Sequence, residues 1–173
     1  MSVVRFIGDL HLGHINMALK RGFNSVEDHD NHIIQCWNSI VNKRDITWIL
    51  GDITMEKPAS YPLLKLLSGM KKVVLGNHDR PSDVPELMKY VQCVSGMVNY
   101  KGIWLTHCPV HPMELGYRVS RNVHGHIHEH KVMKPVYEYG YRVEDIPDDR
   151  YHCVSCENVD YIPKTLEELG ITR

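Results

Sequence analysis

The stretch Val3-Val4-Arg5-Phe6-Ile7-Gly8-Asp9-Leu10-His11 sets the reading of the whole chain. Its first five residues are mostly β-branched or aromatic, so they predict a buried strand over Val3 to Gly8. The run stops at a glycine and is followed by Asp-x-His. In extended backbone, residues i and i+2 project to one side, so Asp9 and His11 leave the strand end together.

The same sentence is written four more times. Ile46 to Leu50 predicts a strand ending in Gly51-Asp52, and Lys72 to Leu75 one ending in Gly76-Asn77-His78-Asp79. Ile103 to Thr106 runs into His107, and the strand from Arg121 runs into His124-Gly125-His126-Ile127-His128. His126 and His128 again share a side by the i, i+2 rule. In open α/β sheets the carboxyl ends of the strands form the rim where ligands bind. Taken singly, each motif is a common turn; five in one chain, each at a strand end, point to a shared centre.

The segments between them alternate in type. Ser25 to Asn42 has near-helical apolar spacing, with Ser25 and Asp28 placed as a capping box. Tyr61 to Leu67 predicts a short helix, and Tyr90–Val94 and Met97–Tyr100 predict strands. Lys131 to Cys156 reads as a hairpin region, and Lys164 to Leu169 as a last short helix stopped by Gly170. With no repeat, linker or low-complexity tract, the expected architecture is α/β and layered, one domain over 1–173.

Composition excludes several classes. Of 173 residues, 43% are hydrophobic and 24% charged, with a formal net charge of −1. That balance argues against a broad nucleic-acid surface, and the cluster Arg118–Arg121 is too short to make one. No run approaches the ~18 apolar residues of a membrane helix, and the N-terminus lacks a secretion signal, so a cytoplasmic location with no membrane partner is expected. The five scattered cysteines read as reduced thiols; Cys153-x-x-Cys156 lies on a predicted strand, where its members face opposite ways. Twelve histidines are many for this length. Carboxylates, an asparagine oxygen and imidazoles together suit Mn²⁺, iron, Zn²⁺ or Ni²⁺ better than Ca²⁺.

The ordered set Asp9-x-His11, Gly51-Asp52, Gly76-Asn77-His78-Asp79, His107 and Gly125-His126-Ile127-His128 resembles the signature of the calcineurin-like metallophosphoesterases. His14-x-Asn16, Arg21-x-Phe23 and a helix carrying Trp37-Asn38 further resemble a branch of small bacterial and phage members. The resemblance implies a four-layer α/β/β/α sandwich with two mixed sheets between helices. It implies two divalent ions, Mn²⁺ foremost, one held by Asp9, His11, Asp52 and His128. The other would be held by Asp52, Asn77, His107 and His126, with Asp52 as the bridge. The reaction implied is phosphate-ester hydrolysis by a hydroxide shared between ions about 3.5–4 Å apart.

His78 follows a ligand directly and is the expected general acid or electrostatic clamp, with Asp79 expected to orient it and raise its pKa. His14 and Arg21 are expected at the scissile phosphate and Arg80 at a flanking one; His124 is expected to support the ligands from outside. His29, His32, His111, His130 and His152 read as surface or packing residues. One departure narrows the substrate. Protein phosphatases of the family continue the second motif as Gly-Asp-x-x-Asp-Arg-Gly, but here Gly51-Asp52-Ile53-Thr54-Met55-Glu56-Lys57 has neither that Asp nor that Arg. The expected substrate is therefore a small phosphodiester, a nucleotide or short nucleic acid. A phosphomonoesterase with the same metals is the alternative, and a non-catalytic interaction module the second.

Overall fold

The computed structural model describes residues 2–172. Two four-stranded sheets organise it. In the first, β1 (Val4–Ile7), β2 (Ile46–Leu50), β3 (Met70–Val74) and β4 (Cys93–Ser95) lie side by side in sequence order, all parallel. In the second the order is β10 (Tyr151–Cys153), β7 (Arg121–His124), β6 (Ile103–Leu105), β5 (Val98–Tyr100), parallel except for the antiparallel β5–β6 pair. Of the two, only the second sheet is mixed; the first runs parallel throughout, because helical segments rather than hairpins connect its strands.

The helical segments between strands of the first sheet include α1 (Ile15–Lys20), α2 (Val26–Asn38), a 3₁₀ stretch at Pro58–Leu66 and α3 (Val84–Leu87). Ser25 caps α2: its Oγ accepts the N–H of Asp28 at 3.0 Å. The apolar stripe of α2 sends Ile33 and Trp37 into the core beside Phe6, Ile7, Ile49, Leu50 and Val73. The Trp37 indole N–H finds the carbonyl of Ser68 at 2.9 Å, so the largest core side chain is also polar-satisfied.

β8 (Met133–Glu138) and β9 (Tyr141–Pro147) form a separate antiparallel hairpin with Tyr137, Tyr139 and Tyr141 exposed. Residues 164–169, expected as a helix, form turns instead: Lys164 pairs with Phe6 at the edge of β1, and that pairing holds the backbone extended where the helix would start. No helix among the described residues is long and apolar enough to cross a membrane.

The two sheets are joined at their carboxyl ends. Gly8, just past β1, donates its N–H to Val154 at 2.7 Å, and Gly125, just past β7, donates to His107 at 2.9 Å. Asp9 donates to Gly51 at 3.0 Å. These bonds bring four of the five motif-bearing strand ends to one place, and Asp79, past β3, ties in the fifth by accepting the N–H of Asp52 at 2.8 Å.

Candidate metal centre

Past β1, β2 and β7 the backbone turns into the left-handed region. Asp9, His11, Asp52, His126 and His128 all have positive φ, from 49° to 72°. Non-glycine residues rarely sit there, and such strain collects at functional sites. Close approach adds to it. A Cβ at Gly51, itself at φ 82°, would lie 2.4 Å from Nδ1 of His107 and 2.7 Å from Cα of Gly76. One at Gly125 would lie 2.4 Å from Oδ2 of Asp9.

The carboxylates are held by backbone. Asp9 is fully buried; its oxygens accept the N–H of His126 at 3.0 and 3.1 Å, and Oδ2 also accepts the Ser155 hydroxyl at 2.6 Å. Burial nonetheless pushes its pKa up. Oδ1 of Asp52 accepts the N–H of His78 at 3.0 Å, leaving Oδ2 turned to the imidazoles, 3.4 Å from Nε2 of His107 and 3.9 Å from Nε2 of His11.

The imidazoles divide into two groups around Asp52. In the first, donor atoms of Asp9, His11 and His128 lie within 4.8 Å of one another. The rings of His11 and His128 stack at 5.6 Å. Both ring nitrogens of His11 are buried without a hydrogen-bond partner, and burial lowers its pKa to about 3, so the ring is neutral. A buried lone pair with no partner costs about 1–3 kcal/mol unless something fills its place. In the second group Nδ1 of His107 donates to the carbonyl of Leu50 at 2.9 Å, which fixes the tautomer. Its Nε2 then faces Oδ1 of Asn77 at 2.8 Å, Nδ1 of His126 at 3.2 Å and Oδ2 of Asp52 at 3.4 Å. One proton cannot satisfy four converging lone-pair donors; a cation among them can, and the donor set fits a divalent ion on each side of Asp52.

Glu157 stands behind this centre and carries no motif that would have revealed it. Its carboxylate accepts Nδ1–H of His128 and pairs with the Arg21 guanidinium at 2.8 Å. Burial opposes its ionisation, but the His128 hydrogen bond and the Arg21 charge win, and its pKa falls to about 2. The bond to Nδ1 leaves Nε2 of His128 as the free ring nitrogen.

The remaining expected residues fare differently. Arg21 is not at the rim. Its side chain is only 3% exposed and turns beneath the site, donating to the carbonyl of Asp9 at 2.7 Å and to Nε2 of buried His29 at 3.0 Å. Asp79 does not face His78. Its Oδ2 accepts the N–H groups of Asp52 and Gly76 at 2.8 Å and its Oδ1 that of Ile53 at 3.1 Å, tying the second and third motifs together. The carboxylate beside His78 is Glu56, with Oε1 3.8 Å from Nδ1. Arg80 is exposed at the rim but ion-paired with Glu56. His14 lies at the edge with its ring 6.2 Å from that of His11, and burial lowers its pKa. His124 is buried, its Nδ1 donating to the carbonyl of Gly125 at 2.8 Å. A cavity of about 430 Å³ takes Ile127 and His124 into its wall, but none of the seven clustered residues lines it.

Comparison with known proteins extends beyond the motifs. The chain is 40% identical over 97 residues to the gene 66 protein of Mycobacterium phage D29, covering 51% of this chain and 48% of the phage protein. It is 32% identical over 95 residues to the uncharacterized protein MJ1445 of Methanocaldococcus jannaschii, covering 52% and 54%. The chain thus spans about half the length of the relatives it matches. The crystal structure of AQ665 from Aquifex aeolicus, a protein of unknown function, aligns over 98% of both chains with a TM-score of 0.66 at 23% identity, which shows a shared fold. The family description "calcineurin-like phosphoesterase" matches residues 3–149, a span that holds all five strand-end motifs. On that match and on the clustering of those motifs at the joined sheet ends, the chain belongs to the calcineurin-like phosphoesterase family.

Proposed function

We propose that this single domain is a metal-dependent phosphoesterase that holds two divalent ions, one in each donor group, and hydrolyses small phosphodiesters of the nucleotide type. The observation that carries it is the pair of donor groups on either side of Asp52, with unpartnered nitrogens on His11 and four lone-pair donors converging at His107. Asp9, His11, Asp52 and His128 would hold one ion, and Asp52, Asn77, His107 and His126 the other. Bound ions would supply a nucleophile from water at neutral pH and positive charge for the phosphate oxygens.

The chain's own part centres on His78. Its backbone N–H is pinned to Asp52, its ring meets that of His11 edge-on at 6.1 Å, and 31% of its side chain is open to solvent. A phosphate at the two clusters would therefore meet this imidazole, which donates a proton to the departing oxygen. Glu56 stands where it can orient the ring, the task expected of Asp79. His14 and Arg80 border the same opening.

The preference for diesters is supported by where the cations are. A dianionic monoester gains most from a free guanidinium. Arg21 is committed to Glu157 and to backbone carbonyls, and Arg80 shares its charge with Glu56. A singly charged diester needs less. The test compares kcat/KM for bis(p-nitrophenyl) phosphate and p-nitrophenyl phosphate on one Mn²⁺-loaded preparation. Preference for the diester is expected; preference for the monoester makes the protein a phosphatase, and no turnover of either by a fully loaded sample favours an interaction module.

A further inference from the structure

Cys108 directly follows His107, and its Sγ lies within 4.8 Å of one ring nitrogen of His107 and one of His126. These are the two imidazoles of the second donor group. Tetrahedral zinc, with bonds of about 2.3 Å to sulfur and about 2.0–2.1 Å to nitrogen, holds the two donor atoms about 3.6 Å apart. The side chain has little more than about an ångström to close to join the group.

Cys108 is exposed, while the other four cysteines are buried or half-buried. Its Sγ makes no hydrogen bond among the described residues, whereas its backbone carbonyl is fixed by the Thr106 hydroxyl at 2.6 Å. Free cysteine ordinarily packs inside as a small hydrophobe, and an exposed thiol is a chemical liability. One held at the edge of two imidazoles, on anchored backbone, calls for a chemical reason. Cys153 offers no such role: its Sγ is engaged with the carbonyl of His128 and the Ser155 hydroxyl.

We propose that Cys108 is a thiolate ligand of the second donor group, so that this half of the centre takes a thiophilic divalent ion, zinc or cobalt, in preference to manganese. The inference rests on the metal-centre reading above and sharpens it. As the sulfur–metal bond forms, the thiol proton passes to solvent. The first group, Asp9, His11 and His128, contains no sulfur among the described residues, so the two halves differ in softness, and a mixed pair of ions satisfies both.

The test is spectroscopic and needs no substrate. The full chain is loaded with Co²⁺, and a thiolate-to-cobalt charge-transfer band is sought in the near ultraviolet beside the visible ligand-field bands. The expected result is a band in the native protein that persists in Cys36→Ser and is lost in Cys108→Ser, with cobalt still bound. Should Cys108→Ser fail to fold, alkylation of the native chain decides. Zn²⁺ is expected to shield Cys108 but not Cys36, Mn²⁺ to shield it less, and chelator to restore its reactivity. Bound cobalt with visible bands but no near-ultraviolet band, or alkylation of Cys108 indifferent to zinc, overturns the thiolate ligand and leaves the metal centre standing. Failure to bind cobalt at all overturns both.

Discussion

At the residue scale, the proposed mechanism separates side chains that would touch a substrate from those that would hold the ligands still. His78 is proposed as one of the first kind. Replacing it with alanine is expected to lower kcat by roughly 10²–10⁴, the usual range for a general acid–base group. Metal content should stay at the native level, measured by elemental analysis; loss of metal in His78→Ala would reassign the residue to the ligand set. Glu157 belongs to the second kind. It fixes the tautomer of His128, and partners of this sort commonly contribute 10–100-fold to metal affinity. Glu157→Ala is expected to weaken binding of one ion by about that factor in calorimetric titration, and Glu157→Gln, which keeps an acceptor for Nδ1–H, by less. Equal losses in the two variants would mean that charge, not hydrogen bonding, is what His128 needs. Arg21 was misread from sequence for a plain reason. A cation in a polar loop looks like a surface group until its partner is known, and that partner, Glu157, lies 136 residues away.

At the element scale, what the sequence made legible was the set of strands, because each is a short apolar run with a polar stop. Strand β2 falls where its residues predict, and β1, β3, β6 and β7 do so within one or two residues. The five strand ends were readable as candidate ligands because each motif is local. Contacts made across the chain were not readable: the turn at 164–169 depends on pairing with β1, and Asp79 depends on amides from two other segments. Short α1 was also invisible, lacking enough turns to show a period and any side-chain cap. Asp45 shows how such long-range ties act on stability. Its carboxylate accepts the N–H of Val3 at 2.8 Å and that of Asn42 at 2.8 Å, joining the start of β1 to the chain leaving α2. These bonds, that of Val3 first, hold its pKa below the usual carboxylate value. A depressed folded pKa means stability that is complete above the unfolded value of about 3.9 and lost as pH falls through the folded one. Asp45→Asn is therefore expected to destabilise at about pH 6, with the gap from the native chain closing as the pH falls below the unfolded carboxylate value of about 3.9, read from urea midpoints. A gap independent of pH would remove the charge from the account.

At the scale of the whole molecule, the centre joins the two sheets, so metal occupancy and global stability are linked. Loading with Mn²⁺ is expected to give close to two equivalents per chain by elemental analysis and to raise Tm; a hundredfold excess over Kd adds about 2.7 kcal/mol for each site. Asp52→Asn should lose both ions and the whole of that gain, while His128→Ala should lose mainly one. Two ions retained in Asp52→Asn would dissolve the idea of a shared bridge.

The left-handed backbone at Asp9, His11, Asp52, His126 and His128 has a consequence for how such a chain evolves. Each of these positions is one that glycine would occupy with less strain. Mutation without selection on activity should therefore drift toward glycine at the strand ends, and the drifting lineage would gain robustness as it lost its purpose. The opposing pressures can be weighed at the bench. In metal-free buffer His128→Gly should melt above His128→Ala, although both lack the same imidazole, because only glycine relieves the turn. The reverse order would show that the surrounding fold, and not the residue, bears the strain. If glycine is the more stable, a histidine at that turn is a standing record of function having been preferred to durability.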